Sequence, residues 1–261
     1  MRTSKTLAKL RAGKPVKLAY LSNLIPAFVA HAAHQGYDAI WLEMEHRPMN
    51  PREVQLLLPL FHHYDIDAIL RVPTREHMAL YRFLEDGASG LIFPLVHSVV
   101  EARDLVGKVK YPPLGDRGLE GRNLDANYGL ATADMQAKLD FIAQANAQTA
   151  TVIQLESPQA VRAADEIAAL EGVDVLFLGP TDFEIRAAHD PDAMTWPEAL
   201  QHVAQACETH GKSWGVMPRS LDEVSDYAKQ GARFIPWGID MRMIAGGLAE
   251  HAAQLRDIYG E

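Results

Sequence analysis

Eight short apolar runs alternate with longer amphipathic stretches along this chain of 261 residues, and the alternation constrains its fold more than any other feature. Repeated strand-then-helix units predict a parallel sheet. The predicted strands cover residues 16–22, 38–45, 68–73, 90–96, 150–156, 173–179, 213–218 and 233–238. Because eight such units close a barrel of about this length, we expect an α/β protein with one domain over residues 1–261, a (β/α)8 TIM barrel.

The amphipathic stretches between the strands have the period of helices, and several end on a glycine, as helices often do. The helix candidates are residues 26–36, 51–64, 75–87, 99–109, 158–172, 196–211 and 221–231. An open doubly wound sheet is the alternative architecture, but no G-x-G-x-x-G follows the first strand, so a dinucleotide fold has little support. One connection, from Lys108 to Ala150, is unusually long, which predicts a functional loop.

Composition and charge exclude several function classes. The net charge is −9 and the basic residues are scattered, so we expect no nucleic-acid partner. No apolar run reaches the roughly 20 residues that span a bilayer, and the first residues lack a signal-peptide core, which predicts a cytoplasmic protein without a membrane partner. Cys207 is the only cysteine, so disulfides within the chain are excluded and a buried filler is expected there.

Two acidic residues follow neighbouring predicted strands. In a parallel barrel the active site forms where the strands end, and Glu156 and Asp182 stand at the ends of the fifth and sixth strands. We expect them to share a divalent cation, Mg²⁺ or Mn²⁺ with Co²⁺ as a further option, because oxygen ligands favour such ions. The alternative is that either carboxylate, Asp182 above all, caps the following helix or accepts bonds from backbone amides.

An arginine and a histidine stand at two other strand ends. Arg71 ends the third strand, where a fixed cation could bind a carboxylate or stabilise an enolate; the alternative is a surface ion pair. His46 follows the second strand, where Glu45, Glu43 or Glu85 could orient its ring for proton transfer; the alternative is a hydrogen-bonded structural histidine.

A lysine at a strand end would indicate an aldolase that works through a Schiff base. Lys17 lies early in the first strand and Lys212 precedes the seventh. The residues therefore favour metal chemistry over imine chemistry.

Several motifs, in order along nearly the whole chain, resemble the class II pyruvate aldolases typified by 4-hydroxy-2-oxoheptane-1,7-dioate aldolase. They are GYDAIWLEMEHRPMN, AILRVP, KYPPLGDRG, VIQLESPQAV, EGVDVLFLGPTDF and GARFIPWGIDMRMI. The resemblance implies a TIM barrel whose divalent metal is held by the residues that match Glu156 and Asp182. It also implies that the metal is chelated by the carboxylate and 2-oxo group of pyruvate.

The resemblance also assigns roles to further residues. The catalytic arginine of the family matches Arg71, its catalytic histidine matches His46, and its glutamine near the metal matches Gln154. The backbone at Pro180 and Thr181 is implied to meet the substrate carboxylate.

The family commonly forms homohexamers, trimers of dimers, which exchange the last helix between subunits; that helix would cover Arg242 to Ile258 here. The chain also departs from the family pattern. Glu43 and Glu85 each stand where the family has aspartate, and Gly121 to Leu124 replaces a run of small residues. We expect that segment to border the mouth and to influence the choice of aldehyde.

These observations lead to one principal hypothesis, reversible cleavage of a 4-hydroxy-2-oxo acid into pyruvate, or a similar 2-oxo acid, and an aldehyde through a metal-stabilised enolate. One alternative is a related lyase or decarboxylase that acts on oxaloacetate or an acyl-CoA ester. Arg219, within Met217 to Ser220, is the single residue that would favour a phosphorylated substrate for such an enzyme. A second alternative is a non-catalytic binding protein on the same barrel.

Overall fold

Eight parallel strands close into a barrel in chain order, each bonded to its sequence neighbours and the last to the first, in a computed structural model that describes residues 2–260. The strands are β1 (Val16–Leu21), β2 (Ala39–Glu43), β3 (Asp67–Arg71), β4 (Gly90–Phe93), β5 (Ala150–Leu155), β6 (Val175–Leu178), β7 (Ser213–Val216) and β8 (Phe234–Ile239). The predicted barrel is confirmed. Most strands end before their predicted limits, because the last predicted residues leave the sheet and form the mouth.

Helices surround the barrel, and all seven predicted stretches are helical. The helices are α1 (Lys5–Arg11), α2 (Pro26–His34), α3 (Pro51–His63), α4 (His77–Glu85), α5 (Val99–Val109), α6 (Met135–Gln148), α7 (Pro158–Arg162), α8 (Ala164–Ala168), α9 (Pro180–Ala187), α10 (Trp196–Thr209), α11 (Leu221–Lys229) and α12 (Asp240–Tyr259). The stretch predicted as one helix over residues 158–172 divides into α7 and α8. No range was predicted for α1, α6 or α9.

The barrel interior is filled by large apolar side chains. The rings of Trp41 and Phe177 lie 5.0 Å apart, and those of Phe177 and Phe234 lie 6.1 Å apart. Leu7 and Leu10 of α1 belong to the same buried cluster and close the amino end of the barrel. This filling leaves the carboxyl end as the open mouth.

A second apolar layer lies between the strands and the surrounding helices, and Cys207 belongs to it. Its side chain is fully buried in α10, and its Sγ donates to the carbonyl of Ser213 at 3.4 Å. Burial raises the pKa of the Cys207 thiol to about 12. The predicted role as a buried filler is confirmed.

The long connection between α5 and β5 lies at the amino end of the barrel, so the expectation that Gly121 to Leu124 borders its own mouth is wrong. The physical reason is topological, since α5 runs back to the amino end and β5 begins there. The connection contains a short 3-10 helix (Leu124–Gly129) as well as α6. Leu124 packs close to Gly87, just after α4.

The last helix, α12, has 20 residues, of which only Asp240 is buried. Asp240 anchors the start of the helix, because its carboxylate accepts bonds from the backbone N–H and the hydroxyl of Ser22, both at 2.9 Å. Beyond that point the helix exposes apolar side chains, among them Met241, Ile244, Leu248, Leu255 and Ile258. None of the helices within residues 2–260 combines the length and the apolar character needed to cross a membrane.

Candidate active site

Glu43 ends β2 and organises one side of the mouth. Successive side chains of a strand alternate between its faces, so Glu43 follows Trp41 on the interior face, and the register pairs it with Arg71 of β3. Its Oε2 accepts from Arg71 Nε at 2.6 Å, and its Oε1 accepts from the backbone N–H groups of Glu45 and His46 at 2.8 and 3.0 Å. Glu43 therefore fixes the arginine and the turn after β2, but bonds the backbone of His46 rather than its ring.

Arg71 lies at the predicted end of β3, and neighbouring side chains fix its guanidinium. Its side chain is 9% exposed, its guanidinium carbon lies 5.3 Å from the Trp41 ring centroid, and one Nη lies 3.2 Å from Glu45 Oε2. The pair with Glu43 is buried, so the alternative of a surface ion pair is wrong. A guanidinium fixed on two sides can meet a negatively charged substrate oxygen without reorganising.

His46 lies at the outer edge of the mouth, with a side chain that is 64% exposed, and its Nε2 is 3.5 Å from Glu45 Oε2. Burial raises the pKa of the Glu45 carboxyl, and the charges of Arg71 and His46 oppose this rise. Of the three carboxylates considered as partners of the ring, Glu45 is the one that faces it.

Glu85 lies at the other end of the barrel. It is the last residue of α4, which runs from the mouth back to the amino end, whereas His46 follows a strand at the carboxyl end. Burial raises the pKa of Glu85, and the neighbouring charge of Arg117 lowers it. Within one chain the structure therefore does not bring Glu85 and His46 together.

Glu156 follows β5 and is buried deep in the mouth. Its Oε1 accepts from Gln154 Nε2 at 2.7 Å, and its Oε2 accepts from the backbone N–H of Leu95 at 2.9 Å. Burial raises the pKa of Glu156 to about 7, the Leu95 bond opposes the rise, and the charges of Asp182 and Glu45 add to it. Glu156, Asp182 and Glu45 are thus close enough to repel one another.

Asp182 lies in the first turn of α9 but does not cap that helix. The N-cap is Gly179, which has no side chain to accept a bond, and Asp182 Oδ1 accepts from Arg186 at 3.2 Å instead. Glu156 is not a cap either, because Ser157 caps α7 with its own hydroxyl. The capping alternative is therefore wrong for both carboxylates. The other part of that alternative holds for Glu156, which accepts the backbone N–H of Leu95.

The mouth has the chemistry of a site for a hard divalent cation. The side-chain oxygens of Glu156 and Asp182 are suitable ligands, and the buried Gln154 Oε1 beside them has no hydrogen-bond donor. Gly179 leaves room beside them, since a Cβ there would lie 2.6 Å from Glu156 Oε1. No group of three or more His, Cys, Asp or Glu side chains within residues 2–260 is arranged to hold a metal, and a cation held by these two carboxylates would also need oxygens from water or substrate.

The start of α9 adds backbone donors to the mouth. Pro180 is buried and has no N–H, so Thr181 and Asp182 carry the first amides of a helix turn that has no internal acceptor for them. Such amides bind carboxylates. The residues that the resemblance assigns to the substrate carboxylate therefore lie beside the two acidic side chains.

Leu95 is a contributor that the sequence analysis missed. It lies two residues after β4, its φ is +56°, and its N–H holds Glu156. Nothing in the apolar run GLIFPLV distinguishes it from its neighbours, because the signal is a backbone conformation that leucine rarely adopts.

Two features of the sequence that suggested other chemistry lie outside this arrangement. Arg219 donates to both carboxylate oxygens of Glu184 at 2.7 and 2.8 Å, so it is not a free phosphate ligand. Lys212 donates to the carbonyls of Leu170 and Val173 just before β7, at the amino end of the barrel.

A closed parallel barrel with acidic side chains, an arginine and a histidine at its strand ends defines the class of (β/α)8 enzymes. Residues 18–246 match the model of the HpcH/HpaI aldolase/citrate lyase family. The chain belongs to this family. The resemblance to metal-dependent pyruvate aldolases is thereby confirmed, and membership implies a divalent cation as cofactor.

Named relatives place the chain among aldolases. It is 32% identical over 240 residues to a hydroxypyruvate/pyruvate aldolase of Delftia acidovorans, covering 91% of this chain and 87% of the relative. It is 33% identical over 258 residues to a 4-hydroxy-2-oxovalerate aldolase of Novosphingobium aromaticivorans, covering 96% and 94%. A crystal structure of a family member from Burkholderia cenocepacia J2315 superposes with a TM-score of 0.85 at 28% identity, covering 97% and 100%. The predicted enzyme class, an aldolase-type carbon–carbon lyase, is confirmed.

Proposed function

We propose that this enzyme reversibly cleaves a 4-hydroxy-2-oxo acid into pyruvate, or a similar 2-oxo acid, and an aldehyde. The observation that carries the proposal is the juxtaposition of Glu156 and Asp182 with the fixed guanidinium of Arg71 at one mouth. The names of the two relatives support a 2-oxo acid as the shared substrate class, while they differ in the molecule that each acts on.

Glu156 and Asp182 are the residues that would hold the divalent cation, and Gln154 lies beside them. A bound cation supplies Lewis acidity toward the 2-oxo acid and offsets the charge that develops during the reaction. We propose Mg²⁺ or Mn²⁺, with Co²⁺ as a further option, because all the available side-chain donors are oxygens.

Arg71 and the start of α9 bind the two ends of the 2-oxo acid in this proposal. The first-turn N–H groups at Thr181 and Asp182 donate to the substrate carboxylate, and buried Pro180 shapes the same turn. Arg71 faces the 2-oxo oxygen and stabilises the negative charge that this oxygen gains in the enolate. Because Glu43 and Trp41 already hold the guanidinium, its binding geometry is prepared before substrate arrives.

His46 carries the proton in the proposed mechanism, and Glu45 orients its ring. His46 removes the proton of the 4-hydroxyl group, the bond between C3 and C4 breaks, and its electron pair forms the enolate while the aldehyde leaves. His46 then returns a proton to C3 and yields the 2-oxo acid. The exposure of the ring allows exchange with solvent, and Glu45 orients it from 3.5 Å.

We further propose the homohexamer, a trimer of dimers that exchange α12. The apolar side chains along this helix support it, because residues 2–260 leave them exposed to solvent. Glu85 can assist His46 only in such an assembly, since the two lie at opposite ends of one barrel.

Exchange of the C3 protons of pyruvate for deuterium tests the proposal without an aldehyde. Glu156→Ala or Asp182→Ala should reduce the metal-dependent exchange, followed by mass spectrometry, by at least about a hundredfold. Glu184→Ala, which removes an exposed carboxylate from the same helix as Asp182, is the matched control and should exchange normally. Normal exchange in the first two variants would contradict the assignment.

The substrate can be assigned by comparison. Assays of 4-hydroxy-2-oxo acids, oxaloacetate and malyl-CoA side by side, each with added Mg²⁺ or Mn²⁺, should show the fastest turnover with the first. Faster turnover of oxaloacetate or malyl-CoA would favour the related lyase or decarboxylase.

A further inference from the structure

The turn between β4 and α5, residues 94–98, contacts Glu156 on its inner side and Arg75 on its outer side. We propose that Arg75 is a positioning residue that holds Glu156 in place for the cation through the backbone of Leu95. The inference rests on the proposed function, because it takes Glu156 as a ligand of the cation.

Leu95 is the strained link in this arrangement. Its φ of +56° lies in the left-handed region, which a leucine enters only at an energetic cost. In that conformation its N–H donates to Glu156 Oε2 at 2.9 Å while its carbonyl accepts from Arg75 at 2.6 Å. If the residue relaxed to negative φ, the amide would turn away and Glu156 would lose one of its two donors.

Arg75 supplies the outside contacts that oppose such relaxation. One Nη of Arg75 donates to the carbonyls of Pro94 and Leu95 at 3.0 and 2.6 Å, and the other donates to Glu101 Oε2 at 3.0 Å. The same Glu101 oxygen accepts the backbone N–H of His97 at 3.2 Å. The loop after β3 thus clamps the turn after β4, with Glu101 of α5 completing the clamp.

A substrate contact is the competing role for Arg75, because this residue lines a cavity of about 210 Å³ beside Glu45. The guanidinium, however, already makes three hydrogen bonds to the turn and to Glu101. An arginine that is engaged in this way acts on the position of Glu156 rather than on the reacting atoms.

Binding of Mn²⁺ to metal-free protein, followed by electron paramagnetic resonance of the free ion, tests the inference. Arg75→Met should weaken Mn²⁺ binding about tenfold, which is the size expected from releasing a left-handed leucine, and Arg75→Lys should recover part of the loss. Hydrogen exchange over residues 94–98 should be faster in Arg75→Met even without metal. Arg82→Met, which removes an exposed arginine from α4 at the other end of the barrel, should bind Mn²⁺ within twofold of the natural protein.

Leu95→Gly provides the decisive background, because glycine adopts the left-handed conformation without strain. Adding Arg75→Met to Leu95→Gly should weaken Mn²⁺ binding less than threefold. An equal loss in both backgrounds, or a higher KM for the aldehyde at unchanged Mn²⁺ affinity, would overturn the positioning role.

Glu156→Gln separates this inference from the proposed function. If Glu156→Gln binds Mn²⁺ as the natural protein does, the assignment of Glu156 as a ligand fails, and the positioning role fails with it. If Glu156→Gln loses binding while Arg75→Met does not, only the positioning role is wrong.

Discussion

Glu156→Gln removes a charge that the folded barrel disfavours when no cation is present. Glu156 is 4% exposed, and both of its carboxylate oxygens already accept N–H donors. In the variant, Gln154 can rotate its amide so that its unpartnered Oε1 accepts from the new side-chain NH₂ at position 156, while the new amide oxygen keeps the Leu95 bond. The substitution therefore removes the charge with little loss of hydrogen bonding.

The size of the effect follows from the pKa of Glu156, which is raised from 4.5 to about 7 in the folded protein. A raised carboxyl pKa means that ionisation destabilises the folded state: the penalty is absent below pH 4.5, grows as the pH rises, and is complete above about pH 7. At about 1.4 kcal/mol per pH unit it reaches roughly 3 kcal/mol at pH 8. For a chain of this size that is a difference in Tm of about 6–12 °C.

Differential scanning calorimetry of chelator-treated protein measures this difference. The variant should melt higher than the natural protein at pH 8, and the gap should shrink strongly at pH 5. Added Mn²⁺ should raise the Tm of the natural protein at pH 8 by mass action and leave that of the variant unchanged. Loss of the charge thus stabilises the metal-free enzyme and removes its response to metal.

Two results would refute this reasoning. Suppose that the variant melted lower than the natural protein by the same amount at pH 5 and pH 8. Glu156 would then stabilise the fold through packing and hydrogen bonds, and its charge would not destabilise the folded state. An equal rise in Tm with Mn²⁺ in both proteins would place the cation elsewhere.

Two further substitutions test the surroundings of the acidic pair. Arg71→Lys should lower kcat about a hundredfold in steady-state assays, because the single ammonium nitrogen of lysine cannot replace both the Nε that bonds Glu43 and the Nη that lies 3.2 Å from Glu45. A kcat within threefold of normal would contradict this. Gly179→Ala should weaken Mn²⁺ binding about tenfold in a calorimetric titration, because the Cβ of the new alanine would lie 2.6 Å from Glu156 Oε1. An affinity within twofold of that of the natural protein would show that the carboxylate has room to move.

Most of the fold could be predicted from the sequence. Each of the eight strands is a short apolar run rich in β-branched residues, because both faces of a barrel strand are buried. The helix α6 was missed because its apolar residues are spread around the helix rather than gathered on one face, and only Phe141 and Ala145 are buried. The placement of the loop from 110 to 134 was missed as well, since a loop's sequence does not show which end of the barrel it covers.

The candidate site was predictable to the extent that strand ends converge. Glu156, Asp182, Arg71 and His46 were selected because parallel strands in a barrel share one carboxyl end, and the structure gathers all four there. The sequence did not show which carboxylate faces the His46 ring, because Glu43, Glu45 and Glu85 were all candidates and only the folded structure shows their distances from the ring.

The barrel and the set of residues at its mouth can be inferred from the order of amino acids alone, because strand periodicity and strand order are local properties of the chain. How those residues work together depends on contacts that exist only in the folded protein. Burial beside Asp182 and Glu45 raises the pKa of Glu156, Glu43 rather than solvent holds Arg71, and a left-handed Leu95 donates to the buried carboxylate. Each of these effects depends on atoms that are distant in sequence and meet only when the barrel closes.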